Sequence, residues 1–552
     1  MISESIHKLL QNALAEAQRR EELPAVTIED FGIDRPQDRR FGDYASGMAL
    51  KMARAARKSP LDIAKLLVTY IPPCEEFSKV EVAPPGFINF TVDPSWLQKQ
   101  VDVVLGQGTM FGNVDVGRRL RVQLEYASVN PTGPVHVGHG RAATLGSALA
   151  NVLEAAGYDV TREYYVNDGG NQLELFAASI YARYLQALGR EATMPENGYQ
   201  GEYVTDFARE IIAEHGDRFA TVPADQGAKA VGKLGMEKAL SVIRADLEKM
   251  NIRFDVWFSE LSLYADGTYE KTMDLLRSQG YIAEKEGAQW FASTALGEEK
   301  DNVLVRSNGI PTYFAADIAY HYNKFIVRKF QRVIDIWGAD HQGHVPRMKA
   351  AARAMGVDPD DLEIITVQLV SLKKGDAALR FSKRKGNVIA LADLVEEVGA
   401  DAVRYFFLTR SADTQMEFDL ELATKEAPDN PVYYIQYAHA RIASIQRTAR
   451  EQGIHADGAD LSLLTHEAEL DLIRAMLQLP EVVERCATQL SPHHLTHYAL
   501  DLAGLFHDFY TQCRVITEDR ALTAARLRLV EAARVALART LTLLGMSVPE
   551  RM

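Results

Sequence analysis

The sequence predicts an α/β protein whose middle is a doubly wound parallel sheet, preceded by a small α+β unit and followed by a bundle of helices. Three observations carry this. "RLRVQLEYA" alternates Leu120, Val122 and Leu124 as a strand does. It is followed by a loop, a helix with Leu145, Leu149, Val152 and Ala156 on one side, and a second strand-like run, "YDVTREYYV". Strand, helix and strand in that order make a right-handed parallel unit. Strand-like material resumes at "RVIDIWGAD" and "LEIITVQLVSL", and beyond about residue 425 helical spacing takes over. At 552 residues the chain exceeds a single core and should divide into roughly three domains.

Taken in order, residues 1–110 read as the α+β unit. "SIHKLLQNALAEAQ" has helical spacing through Leu9, Leu10 and Ala13, and "GFINFTV" sets Phe87, Asn89 and Thr91 against Ile88, Phe90 and Val92 as a strand. "KMARAARK" puts Lys51, Arg54 and Arg57 or Lys58 on one helical face, a solvated basic stripe unless a polyanion meets it. Residues 111–400 read as the sheet domain, with a mostly helical, charged insertion at about 180–290. Gly157 is a fitting stop for the first helix of that domain. Residues 401–552 read as the helical domain. Tyr433, Tyr434, Tyr437 and Arg441 recur at helical spacing, "LSPHHLTHYALDLAGLFHDFYTQC" opens with a Ser-Pro helix entry, and "LRLVEAARVALARTLTLLG" closes the chain.

Composition narrows the function. The charged share, 25%, and the hydrophobic share, 47%, are those of a globular protein. No apolar run approaches the roughly 18 residues of a membrane span, and "MISESIHKLL" lacks the basic flank and apolar block of a leader, so a cytoplasmic location is expected. Cys74, Cys486 and Cys513 are far apart, which suits a reducing compartment and offers no zinc spacing. A net charge of −14 argues against nonspecific polyanion binding but not against a specific nucleic-acid partner with local basic surface.

Several motifs compete for the chemistry. "GAKAVGKL" matches a phosphate loop up to its lysine, but Leu234 stands where the metal-binding hydroxyl belongs and "TVPADQ" before it is no buried strand; a surface helix is expected. His341 and His344 with Asp340 have the look of metal ligands, yet they follow a buried strand where α/β sheets form pockets, so a binding pocket is the better reading. His493, His494 and His497 read as a helix surface. In "EYASVNPTGPVHVGHGR", by contrast, a strand ends, a loop stiffened by Pro131 and Pro134 turns at Gly133, and a helix begins, which aims backbone N–H groups at an anion. His136 and His139 share one side of that helix end, and Gly138 leaves room for a flat purine. Near residue 380, "LRFSKRKGNVI" gathers Arg380, Lys383, Arg384 and Lys385 in a short loop, cations that repel one another unless solvated or facing an anion. Such a loop suits closure over a pyrophosphate.

This pair of motifs resembles the two signatures of class I aminoacyl-tRNA synthetases. "HVGH" stands for the first, and "RFSKR" for the second, departing from the usual pattern at Arg380, Phe381 and Arg384 while keeping Ser382 and Lys383. More specifically the chain resembles arginyl-tRNA synthetases from end to end, through "FGDYAS", "PPGFINF", "VNDGGNQ", "DAVRYFFL", "DNPVYYIQYAHARI" and "LLGMSVPERM". The resemblance implies a Rossmann-like catalytic domain that joins L-arginine to ATP, releases pyrophosphate and passes arginine to the terminal ribose of its tRNA. It implies catalytic roles for His136, His139 and Lys383. It implies an ATP site of Pro134, His136, Val137, Gly138, His139, Gly338, Asp340, Ser382, Lys383 and Arg384. The implied arginine site is Glu125, Ser128, Asn130, His136, Tyr313, Asp317, His341 and Gln342, and a planar guanidinium does call for carboxylates and a hydroxyl of this kind. For tRNA it implies Phe87 and Asn89 at the D-loop and Tyr433 and Tyr437 at the anticodon. Magnesium is expected to arrive with ATP, no metal to be held by the protein, no membrane partner, and the chain to act as a monomer. A small-molecule adenylyltransferase would share the histidines but leave the helical domain without a purpose. A noncatalytic tRNA binder would be expected to lose His136, His139 or Lys383, all of which are present.

Overall fold

A computed structural model describes the chain except for residues 27, 29, 30, 376 and 380–388. The N-terminal helix Ile2–Arg19 buries Ile6, Leu10, Ala13, Leu14 and Ala17, a stripe at spacings of three and four. It lies with helices Met48–Ala56 and Pro60–Thr69 beside a four-stranded antiparallel sheet. The order of that sheet is Ile33–Asp34, Tyr44–Ser46, Phe87–Val92, Phe77–Ala83. Ile88, Phe90 and Val92 point into the core, as the alternation predicted. Helix Pro94–Gln107, capped by Asp93, leaves this unit and docks on the C-terminal helices. There Gln98 Nε2 donates to the Leu464 carbonyl at 2.9 Å, and Arg528 pairs with Asp102.

The centre of the molecule is a five-stranded parallel sheet in the order Leu362–Val367, Arg332–Gly338, Arg121–Glu125, Asp159–Val166, Val256–Ser259. The chain starts in the middle of this sheet, builds outward to one side, then returns to build the other. The switch therefore falls between Arg121–Glu125 and Arg332–Gly338, where a crevice opens at the carboxyl ends of the strands. Val122, Leu124, Val333 and Ile334 are fully buried, as befits strands covered on both faces. Helix Val137–Ala155 packs against the sheet so closely that a side chain at Gly146 would strike the Tyr126 ring at 2.2 Å. Gly157 ends the helix with φ near +87°, a conformation glycine adopts at no steric cost.

Two boundaries differ from the sequence reading. The span expected as a helical insertion supplies the edge strand Val256–Ser259 of the parallel sheet. Only four residues long and half-buried throughout, this strand has too little alternation to announce itself. The C-terminal span expected to be helical contains Met416–Asp419, which pairs in parallel with Val370–Lys374. Between those elements helix Ala400–Leu408 packs on Val137–Ala155, so this stretch is joined to the sheet domain.

"GAKAVGKL" lies within helix Ala224–Lys249, as expected, but the helix is not a simple surface element. Gly227, Gly232 and Gly235 are buried against helix Asn171–Ala187 and its surroundings. A Cβ at Gly232 would meet that of Ala177 at 2.2 Å, and one at Gly235 would meet Ile180 Cδ1 at 2.1 Å. The glycines permit close helix contact, not phosphate binding.

From Pro431 onward the chain is helical: Pro431–Glu451, Glu467–Met476, Leu479–Thr488, His493–Gln512 and Arg520–Leu544. The bundle is fastened to the sheet domain by Arg404, which is fully buried without a carboxylate. Its guanidinium donates to the Leu544 carbonyl at 2.8 Å, the Met250 carbonyl at 2.6 Å and Ser147 Oγ at 3.1 Å. Burial pulls its pKa down to about 10. Three parts of the chain thus meet on one side chain.

Candidate active site

The loop between Glu125 and Val137 crosses the top of the crevice. Tyr203 OH donates to the Thr132 carbonyl at 2.9 Å, holding the Pro-Thr-Gly-Pro turn against the helical insertion. His136 sits at the N-terminus of helix Val137–Ala155, and its ring lies 3.6 Å from that of His139. A Cβ at Gly138 would come within 3.0 Å of the His136 ring, so glycine lets the two histidines lie together. The segment that follows residues 380–388 is stitched to this place: Leu391 N donates to the Val135 carbonyl at 2.7 Å, and Val137 N to the Ile389 carbonyl at 3.2 Å. The positions expected for Ser382, Lys383 and Arg384 lie outside the described residues, but the chain leaving them runs beside His136.

On the other side of the crevice, Gly338 ends its strand and leads into the turn Ala339–His344. A Cβ there would meet Asp340 Oδ1 at 2.5 Å. Asp340, His341 and Gln342 are exposed, with Asp340 and His341 3.6 Å apart. Among the described residues no group of His, Cys, Asp and Glu forms a metal site.

The middle strands of the sheet carry a cluster of acids. Strand register sets Asp335, Glu125 and Glu163 side by side on three adjacent strands. A row of buried carboxylates is untenable without countercharge, and the helix Tyr313–Tyr322, continuing as a π-turn Asn323–Val327, supplies it. Lys324, fully buried, donates to Glu125 Oε2 and to Asp335 Oδ1, both at 2.7 Å. Arg328 forks onto Glu163, to which Tyr320 OH also donates at 2.6 Å. His321 Nε2 lies 2.8 Å from Asp335 Oδ2. Ser128 Oγ donates to Glu125 Oε1 at 3.0 Å and accepts from the Tyr165 amide at 3.1 Å. Glu125 was expected as an open carboxylate for a guanidinium; both of its oxygens already have protein partners.

Asp317 differs. It lies one turn before His321, and among the described residues its carboxylate has no hydrogen bond or ion pair. Burial, with Glu125 and Glu260 adding to it and His321 and Arg347 opposing, pushes its pKa up to about 7. Tyr313, one turn before Asp317, stands half exposed, its hydroxyl 3.0 Å from where a Cβ on Gly170 would be. Asn130 Nδ2 donates to Gln172 Oε1 at 2.6 Å, joining the His-loop to the "VNDGGNQ" segment. Glu260, buried, accepts from Tyr165 OH at 2.9 Å.

The structure therefore brings Glu125, Ser128, Asn130, His136, His139, Tyr313 and Asp317 around the switch-point crevice. Lys324, Asp335, Glu163, Arg328 and Glu260 were not foreseen. The available signal was a lysine in the apolar run "IAYHYNKF" and an acid at the same depth in "RVQLE", "TREYY" and "RVIDIW". Farther out, Phe87 is half-buried and Asn89 buried, with the Asn89 Oδ1 lacking a hydrogen-bond partner among the described residues. Tyr433 and Tyr437, which the resemblance assigns to the anticodon, are half-buried. Their rings stack at 5.8 Å, and Tyr437 also lies against His507 at 5.9 Å, with Arg441 over its face. Helical spacing of four places these aromatic rings on one another before any ligand arrives.

The comparisons agree with this geometry. Residues 100–420 match the family described as tRNA synthetases class I (R), catalytic domain, so the sheet and crevice are those of a class I tRNA synthetase. Residues 4–92 match the arginyl tRNA synthetase N terminal domain and 435–552 the DALR anticodon binding domain. The chain belongs to the arginyl-tRNA synthetases, enzymes that ligate arginine to tRNA. It is 52% identical to an arginine–tRNA ligase of Dehalococcoides mccartyi over 98% of both chains. It is 50% identical to that of Carboxydothermus hydrogenoformans over 95% of this chain and 94% of that one. In fold it is similar along its whole length to the solved arginyl-tRNA synthetase of Thermus thermophilus, with a TM-score of 0.79 at 23% identity. No helix of the described residues is long and apolar enough to cross a membrane.

Proposed function

We propose that the crevice activates L-arginine with ATP and that its two walls divide the labour. Asp317 is the observation that carries this reading. A half-buried carboxylate with no partner among the described residues, in a cluster where Glu125, Glu163, Glu260, Asp317 and Asp335 outnumber the nearby cations, calls for a cation from outside. A guanidinium fits, with Asp317 receiving it and the Tyr313 hydroxyl meeting it from the exposed side. Glu125, Ser128, Asn130, His341 and Gln342 line the path to the crevice mouth. The substrate carboxylate then faces the α-phosphorus of ATP. One of its oxygens attacks, the bond to the β-phosphate bridge breaks, and pyrophosphate leaves. No general base is needed, because the nucleophile is already ionised.

His136 and His139 donate to phosphate oxygens at the helix N-terminus, with Pro134 and Val137 shaping the loop and Gly138 and Gly338 admitting adenosine. Asp340 is exposed at the same mouth. Lys383, with Ser382 and Arg384, neutralises charge on the departing pyrophosphate, a role favoured by the pairing of Ile389 and Leu391 with the His-loop. Magnesium enters with the triphosphate, held by phosphate oxygens. The terminal ribose hydroxyl of tRNA then attacks the arginyl carbonyl and AMP leaves. Phe87 and Asn89 contact the D-loop and Tyr433 and Tyr437 the anticodon loop, dividing the chain into D-loop, catalytic and anticodon portions that act as a monomer.

The test is ATP–pyrophosphate exchange across all amino acids, with and without tRNA. Arginine alone should support exchange. Absence of exchange with arginine in the presence of cognate tRNA refutes the reading.

A further inference from the structure

We propose that Asp246 is a positioning residue for the phosphate-binding histidines: from helix Ala224–Lys249 its carboxyl group receives the amide of Val135 and so fixes where His136 and His139 stand. The proposal rests on the reading of those histidines as the ATP-phosphate site. Ala239, Ile243, Asp246 and Leu247 form one buried stripe on that helix, and Asp246, only 5% exposed, stands where an apolar residue belongs. An acid at such a place is costly unless a specific partner meets it. Its Oδ2 is buried with no hydrogen-bond partner among the described residues.

The partner emerges from the backbone of the His-loop. Val135 is fully buried, so its amide needs an acceptor, and among the described residues no backbone carbonyl provides one. The amide faces the Asp246 carboxyl group instead, as a hydrogen-bond donor. The Val135 carbonyl is used as well: it accepts from Leu391 N at 2.7 Å, and His136 pairs with Ala390 as an antiparallel bridge. The residue just before His136 is thus tied at both of its polar groups, by helix Ala224–Lys249 and by the segment after residue 388. Tyr203, in helix Glu202–His215, holds the Thr132 carbonyl of the same loop at 2.9 Å. Both Tyr203 and Asp246 belong to the helical insertion, which gives that insertion a part in the chemistry. Burial raises the Asp246 carboxyl; Lys249, one turn along its own helix, and the Val135 amide oppose this, and Asp393 of helix Leu391–Val398 adds to it. A carboxyl keeps an acceptor oxygen whether or not it is ionised, so the role is that of an acceptor and asparagine can fill it.

ATP–pyrophosphate exchange by the full chain, with arginine and cognate tRNA, tests this. Asp246→Ala removes the acceptor. We expect kcat/KM for ATP to fall about tenfold or more while the arginine KM stays within about twofold, since a shift of about 1 Å in the imidazoles is enough. Asp246→Asn should stay within about threefold of wild type. Added to His136→Ala, Asp246→Ala should cost no more than about a further twofold, whereas a residue that merely supports the fold would cost the same factor in either background. If Asp246→Ala fails to fold, Asp246→Ser, which shortens the reach but keeps a polar group, takes its place in the same comparison. A folded variant with unchanged kcat/KM for ATP overturns the proposal. So does an Asp246→Asn as impaired as Asp246→Ala, or a full loss in the His136→Ala background. If His136→Ala lowers kcat/KM for ATP and Asp246→Ala does not, the phosphate site stands and the role of Asp246 falls. If His136→Ala itself leaves it unchanged, the phosphate site falls and this proposal with it.

Discussion

Arginine binding should expel a proton from Asp317. In the proposed complex a permanently charged guanidinium meets Asp317, whose carboxyl burial pushes up to about 7. At pH 6 about one enzyme in ten has Asp317 ionised, and at pH 8 about nine in ten, so the arginine KM should fall about tenfold across that interval. The same shift acts on stability. A carboxyl raised above its ordinary value of 3.8 costs nothing while protonated in both states, then destabilises the fold progressively as pH rises from about 4 to about 7. Above pH 7 the penalty is on the order of 4 kcal/mol without substrate. Asp317→Asn should therefore melt higher than wild type at pH 8, show no such advantage near pH 4, and lose the pH dependence of arginine KM along with most affinity. Calorimetric titration of arginine in two buffers of different ionisation enthalpy measures the proton directly: close to one released at pH 6 and about a tenth of one at pH 8. Equal apparent enthalpies in both buffers at pH 6, with a flat KM from pH 6 to 8, would refute the assignment.

Other expectations follow from the same contacts. Lys383→Ala should lower the exchange rate about a hundredfold while changing the ATP KM little, since pyrophosphate charge develops mainly in the transition state; stopped-flow or steady-state exchange reads both. Gly235→Leu forces a side chain into Ile180, where even a Cβ would stand at 2.1 Å, and should cost about 1–3 kcal/mol. Limited proteolysis should then cut the 171–249 helices first, and resistance equal to wild type would contradict the close packing. Asn89→Ala should raise the tRNA KM about tenfold with little loss of melting temperature, because its Oδ1 has no partner among the described residues to lose. An unchanged tRNA KM removes Asn89 from the interface.

Much of the frame was legible because it is local. The strand–loop–helix–strand of 120–166 shows itself through period-two and then helical apolar spacing, and Gly157 marks the helix end. The edge strand Val256–Ser259 and the short strand Met416–Asp419 were not legible, for both are four residues long and are fixed by partners far along the chain. Period alone cannot distinguish such fragments from the helices around them. The stacked tyrosines show the reverse: Tyr433 and Tyr437 were correctly placed on one helical face, yet the same spacing buries half of each against its neighbours.

The pocket explains why its most informative residues stayed hidden. Glu125 could be singled out because it stands beside a recognisable loop. Asp335 and Glu163 share its depth only once the register of three strands is known, and each alone reads as an acid in a strand. Lys324 is conspicuous in "IAYHYNKF" only as a charge where an apolar residue belongs, and its meaning depends on the acids it meets. Once these are assembled, electrostatics gives an asymmetry that sequence spacing could not. Of the carboxylates around the pocket, Asp335 is held down to about 2 by Lys324 and His321 against its burial, and Glu163 is clasped by Arg328 and Tyr320. Asp317, half-buried, is the one of them left unmatched among the described residues. On the proposed reading, specificity for a cationic side chain follows from the fold having satisfied each of these described acids except one, which is left for a planar guanidinium.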